Sequence, residues 1–171
     1  NIKIHYVGSA FGLESKVFPI KDVWHTLLPI RGIQRDLSLK SILRNSLLPF
    51  RILRSFHRTN NLINDFSPDV IIGTGGYASA LPLLVASTNK KNIPIILQEQ
   101  NSFPGITTKW FAKRALKVCV AFKNKRSAIL GNIIHTGNPI RKGLTKGNKS
   151  LGYKNFRFNN MYKTIFLFGG S

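Results

Sequence analysis

Apolar residues fall in short runs separated by turn residues, and longer stretches with helical spacing lie between them. The runs Ile2–Val7, Val23–Ile30, Val70–Ile72, Pro94–Leu97, Lys117–Phe122, Ile133–Thr136 and Thr164–Phe168 predict strands. Between them, apolar positions three and four apart predict a helix starting near Leu13, a mainly helical stretch Leu37–Ile63 broken at Pro49, and helices over Ser79–Ser87 and Ile106–Ala115. Brief apolar strands alternating with helices predict an α/β fold, a parallel sheet covered by helices on both faces. Ligands of such sheets bind at the carboxyl ends of the strands. Gly143–Tyr162 is polar, rich in Lys, Asn and Gly, and predicts a linker before the last strand. The organisation expected is therefore a domain over 1–143, a linker over 144–162, and the first strand of another domain over 163–171. A chain that opens on Asn1 and closes on a Gly-Gly-Ser turn reads as a fragment cut at both ends.

Composition narrows the chemistry. The 171 residues carry 26 Lys and Arg against 6 Asp and Glu, a formal charge of +20. The acids are scattered, which argues against a carboxylate cluster for calcium or paired metals. A single cysteine, Cys119, excludes a disulfide framework and a cysteine-based zinc site. None of the four histidines pairs at metal spacing, and no serine sits in a nucleophile elbow. The charge points to polyanions, whether nucleic acid, phosphorylated ligands or an anionic membrane face. The abundance of Asn, Lys and Ile is equally what an AT-rich genome produces. Lys and Arg are absent between Thr59 and Asn89, which disfavours a surface that wraps nucleic acid. Val70–Asn89 is uncharged and long enough to span a bilayer, but its clustered glycines predict strand, turn and helix instead.

Four turns stand at strand ends. Gly73-Thr74-Gly75-Gly76-Tyr77 follows the strand Val70–Ile72, where glycines let backbone amides approach a ligand oxygen at a helix start. It matches neither a phosphate-binding P-loop nor a dinucleotide fingerprint, and packing glycines in a tight turn explain it as well. Gln98-Glu99-Gln100-Asn101, expected just past its strand, offers both donors and acceptors and suits a sugar, or is an exposed polar loop. Gly137-Asn138-Pro139-Ile140-Arg141 is a stiff turn that would aim Arg141 over the strand ends, where a guanidinium suits a pyrophosphate. Gly169-Gly170-Ser171 closes the chain. Separately, Leu39–Arg58 interleaves apolar residues with Lys40, Arg44, Arg51, Arg54 and Arg58, the pattern of an interfacial helix or of a core helix with solvated arginines.

In their order and spacing these turns resemble the MurG family of bacterial glycosyltransferases, which make lipid II. Gly73–Ser79, Gln98–Asn101 with Gly105–Lys109, Gly137–Arg141 and Gly169–Ser171 carry the resemblance, and Gly8, Glu14 and Arg31-Gly32 sit where the family has similar residues. It implies a glycosyltransferase B type fold with two Rossmann-like domains, of which this chain is an incomplete N-terminal one. It implies inverting transfer of N-acetylglucosamine (GlcNAc) from UDP-GlcNAc to the C4 hydroxyl of the muramic acid sugar of lipid I, releasing UDP. No cofactor and no protein-bound metal are implied. The setting implied is peptidoglycan synthesis at the cytoplasmic face of the inner membrane, and with it cell shape and division.

Residue by residue, Asn101, Arg141 and Ser171 match positions that contact UDP-GlcNAc. Gly75, Gly76, Tyr77, Gln98 and Glu99 match the acceptor and pyrophosphate side, with Glu99 a candidate for catalysis because it is the one acid inside a strand-end motif. Leu47, Leu48, Phe50, Arg51, Arg54 and Phe56 match an apolar, basic-rimmed patch that docks on anionic lipid. The chain departs from the family at Gln98, where the family has His; a glutamine hydrogen-bonds but shuttles no proton near neutral pH. The family's first glycine-rich loop is not among these residues. Competing readings are another B-type glycosyltransferase with a different lipid-linked acceptor, and a basic nucleic-acid-binding module.

Overall fold

The computed structural model describes residues 2–30, 46–123, 129–143, 146–159 and 161–165. Two compact units divide the chain, Asn1–Asn138 and Pro139–Ser171. In the first unit the described elements follow one another as β1 (Tyr6–Ser9), α1 (Glu14–Ile20), β2 (His25–Leu28), α2 (Leu48–Phe66), β3 (Ile71–Gly73), α3 (Gly76–Thr88), β4 (Ile95–Glu99), α4 (Ile106–Phe111), β5 (Lys117–Val120) and β6 (Ile133–His135). All pairings are parallel: β1 lies beside β2, and a second sheet runs in the order β3-β4-β5-β6.

Ile, Val and Leu dominate the second sheet, as parallel sheets favour; β4 and β5 alternate buried and half-buried residues, whereas Ile72 of β3 and all of β6 are exposed. The core sits where α3 and α4 cover it. Leu83, Val118 and Ala112 are fully buried, Leu97 nearly so, and Ile63 of α2 joins the same cluster. A smaller cluster joins Leu28, Ile30 and Leu81. α3 contacts both β1 and β3 and so spans the two sheets. Between β1 and β3 runs a groove of about 840 Å³, lined by Tyr6, Val7, Ile71, Ile72, Gly73 and Leu83 among others.

Several expected boundaries move. The first strand begins at Tyr6, not Ile2; Ile2 and Ile4 are exposed. Pro49 does not break a helix but sits in the first turn of α2, where its missing N–H costs nothing. α2 ends at Ser67, a left-handed cap with φ 47°, ahead of Pro68. α3 starts at Gly76, three residues before the expected Ser79. Its Pro82 is buried and removes only one rung of the helix ladder. β4 extends through Glu99, so Gln98 and Glu99 belong to the strand and not to the loop after it. α4 stops at Phe111.

In the second unit, the segment expected as a linker holds α5 (Lys149–Phe156), whose first turn is capped by the Asn148 side chain accepting from the Leu151 amide at 3.0 Å. The expected last strand falls mostly on residues outside the described ones, as do Leu39–Asn45, Arg31-Gly32 and Ser171. Among the described residues no helix is long and apolar enough to cross a membrane.

Candidate functional site

Three of the four turns meet at the carboxyl ends of β3, β4 and β6. The first turns sharply: Gly75 has φ 88° and ψ −175°, and Gly76 has φ 76°, conformations that side chains resist. Gly75 caps the start of α3, and Ser79 donates its hydroxyl to the Gly75 carbonyl at 2.7 Å. The first-turn amides of α3 lack intrahelical acceptors, as at any helix start, and Tyr77 beside them is exposed. Thr107, at the start of α4, donates to the Gly76 carbonyl at 3.2 Å and joins this turn to the loop after β4.

The loop after β4 is tied in turn to the one after β6. Gln98 donates to the Gly137 carbonyl at 3.4 Å, and Asn138 donates to the Gln100 carbonyl at 3.1 Å. Gln98 is half-buried, whereas Gln100 and Asn101 are exposed. The Gly73, Gln98 and Gly137 turns therefore form one continuous rim. Gly137 and Asn138 belong to the first unit; Arg141 lies in the second unit and is exposed.

Glu99 departs from expectation. It is 5% exposed and its carboxylate is fully engaged. Oε1 accepts from the Asn101 amide N–H at 3.1 Å and from Asn101 Nδ2 at 3.2 Å. Oε2 accepts from the Gly105 N–H at 2.9 Å and from the Thr108 hydroxyl at 2.6 Å. Burial pushes its pKa up, but the bonds from Thr108, Gly105 and Asn101 outweigh burial and hold it below the usual carboxylate value. A low-pKa carboxylate with four donors and no open face is a poor base. These four bonds make Glu99 a clamp of its loop. Sequence reading missed its partners, Gly105 and Thr108, because they lie six and nine residues further on in a different element.

Exposed apolar residues flank the rim. Phe103, Ile106 and Trp110 are 77%, 56% and 71% exposed, on the loop and helix that follow Asn101. Further off, α2 buries Ser55, Thr59 and Ile63 and exposes Leu47, Phe50 and Leu53. Of the expected docking residues, Leu48, Arg51 and Phe56 are half-buried, and Arg54 is exposed. The Arg51 guanidinium lies 5.9 Å from the Phe11 ring centre. Among the described residues no three His, Cys, Asp or Glu side chains gather closely enough to hold a metal ion.

The chain and its fold have known relatives. The family profile of the glycosyltransferase family 28 N-terminal domain matches residues 1–120. The chain belongs to that family. It is 39% identical, over its whole length, to the UDP-N-acetylglucosamine–N-acetylmuramyl-(pentapeptide) pyrophosphoryl-undecaprenol N-acetylglucosamine transferase of Flavobacterium psychrophilum, covering 46% of that protein. The protein of the same name from Halalkalibacterium halodurans is 33% identical over 99% of the chain, which again covers 46% of it. Among solved structures, Acinetobacter baumannii MurG superposes with a TM-score of 0.56 at 25% identity, covering 77% of this chain and 36% of that one. The family 28 match and this superposition support the expected B-type, Rossmann-like N-terminal fold. The chain spans less than half the length of these relatives.

Proposed function

We propose that this family 28 chain is the acceptor-side part of an inverting glycosyltransferase that moves GlcNAc from UDP-GlcNAc to lipid I, giving lipid II and UDP. The observation that carries the reading is the continuous rim, in which Thr107, Gln98 and Asn138 join three strand-end turns by hydrogen bonds. Strand ends are where parallel α/β sheets bind ligands, and the rim supplies groups suited to the acceptor side of a glycosyl transfer. Backbone amides at the start of α3, at Gly75, Gly76 and Tyr77, suit the pyrophosphate of the acceptor, since they carry the positive end of the helix dipole. Asn101, Arg141 and Ser171 are carried over as contacts of the nucleotide sugar from the family motifs that hold them. Gln98 orients the rim through Gly137 and moves no proton.

The reaction forms one bond and breaks one. The C4 oxygen of the muramic acid sugar attacks the anomeric carbon of GlcNAc from the face opposite UDP. The bond to the diphosphate oxygen breaks, UDP leaves with that electron pair, and the C4 hydroxyl proton passes to a base. Inversion at the anomeric carbon follows from in-line attack. The protein works on the cytoplasmic face of the inner membrane, held there by anionic lipid against α2. The test uses the complete protein encoded by the reading frame, with labelled UDP-GlcNAc and either lipid I or other polyprenyl-linked sugars. Transfer to lipid I alone supports the reading. Transfer only to another acceptor assigns a different B-type enzyme, and no transfer to any of them removes the function.

A further inference from the structure

Among the described residues Glu99 is the one charged side chain that is buried. Its donors are all neutral: two backbone amides, a hydroxyl and the Asn101 side-chain amide. A buried carboxylate is costly unless its oxygens are satisfied, and these are. The arrangement also has a polarity. An ionised carboxylate only accepts hydrogen bonds. Asn101 must therefore turn Nδ2 towards Glu99, which leaves its Oδ1 as the free end of an exposed side chain. An unclamped asparagine could present either end of its amide, because the two differ little in shape.

We propose that Glu99 is a positioning residue that fixes the Asn101 amide with its oxygen outward, so that this end of the site accepts a hydrogen bond from a hydroxyl or N–H of the nucleotide sugar. The inference rests on the reading of Asn101 as a contact to UDP-GlcNAc. It adds the sense of that contact and the residue that sets it. With Glu99→Gln, the amide faces four donors with one acceptor and a donor of its own. Asn101 then satisfies it by flipping, and its Nδ2 points outward. Pairing Glu99→Gln with Asn101→Asp reverses the internal bond and restores an outward oxygen.

The experiment measures KM and kcat for UDP-GlcNAc in the complete protein, with thermal melts alongside. Glu99→Gln and Asn101→Ala are each expected to raise KM about 3- to 10-fold, the worth of one hydrogen bond. The Glu99→Gln/Asn101→Asp pair is expected to return KM to within about twofold of wild type. Thr108→Val, which removes a bond to Oε2 away from Asn101, lowers the melting temperature and leaves KM unchanged. Asn101→Asp alone sits on an exposed residue and folds even where Glu99→Gln does not. Its KM is raised at pH 8 and falls as acidification lets the facing carboxylates share a proton. The proposal is overturned if Glu99→Gln melts earlier with KM unchanged, if the pair worsens KM by the product of the single effects, or if the Asn101→Asp KM ignores pH. If Asn101→Ala also leaves KM unchanged, Asn101 is not at the donor sugar, and the functional reading of that residue falls as well.

Discussion

At the scale of single residues, Glu99 and Gly75 show how a side chain and a backbone angle each hold the rim. Because hydrogen bonds keep the folded pKa of Glu99 below its unfolded value, the carboxylate contributes stability above the unfolded pKa. That contribution disappears as pH falls through the folded one. Glu99→Gln should therefore cost about 1–3 kcal/mol near neutrality. The melting-temperature gap to wild type should stay constant above about pH 5 and narrow below about pH 4. A gap independent of pH over that range would mean that the charge contributes nothing. Gly75 isolates the backbone: a Cβ there meets nothing within 4 Å, so Gly75→Ala tests conformation without a clash. At φ 88° and ψ −175° it should cost about 1–3 kcal/mol. A lower urea midpoint at constant m would show that cost.

At the scale of elements, the sequence pattern was legible where burial follows a period and illegible where it follows a partner. Ile95, Leu97 and Val118 sit in strands because their apolar runs could do little else. Glu99 ends the same strand yet looked like a loop residue, since no local pattern foretells donors from Gly105 and Thr108. Pro49 was equally ambiguous: proline disrupts a helix interior but suits a first turn, and only the start of α2 decides which. α2 also shows a face that periodicity alone left open between core and interface. Ser55, Thr59 and Ile63, four residues apart, are buried. By the same helical spacing Phe50, Leu53 and Arg54 fall on the opposite side, whereas Arg58 lies at the edge and donates to the Leu27 carbonyl at 3.1 Å. Phe50 and Leu53, 67% and 56% exposed, contribute little to the core. If α2 docks on lipid, Phe50→Asp with Leu53→Asp should weaken binding to anionic vesicles at least about 10-fold and leave the melting temperature nearly unchanged. Salt should weaken the wild type too, by loosening Arg54 from anionic headgroups. Undiminished sedimentation of the double variant with vesicles would move membrane contact off α2.

At the scale of the whole molecule, the two parallel sheets of the first unit leave the groove between β1 and β3 with backbone edges on both sides. Among the described residues, β1 pairs only with β2 and β3 only with β4. Ile72 beside the groove is 61% exposed, and α3 contacts both strands. Parallel strands are ordinarily buried on both faces and paired on both edges except at the rim of a sheet, so two facing edges over an apolar floor leave core surface in contact with water. The second unit brings one described helix, α5, and exposed Arg141. An inverting transfer needs both the pyrophosphate end of the acceptor and a full nucleotide-sugar site, and the relatives that carry the activity in their names are more than twice as long as the chain. The 171 residues alone are therefore expected to bind 8-anilinonaphthalene sulfonate under native conditions, through the groove, and to form no lipid II from UDP-GlcNAc and lipid I. Ile72→Glu should reduce the dye fluorescence by placing a charge of the dye's own sign at the mouth of the groove. Dye binding that ignores this change would put the exposed apolar surface elsewhere, for which Phe103 and Trp110 are the next candidates. Lipid II formed by the 171 residues would show that the rim of the first unit needs no further donor site.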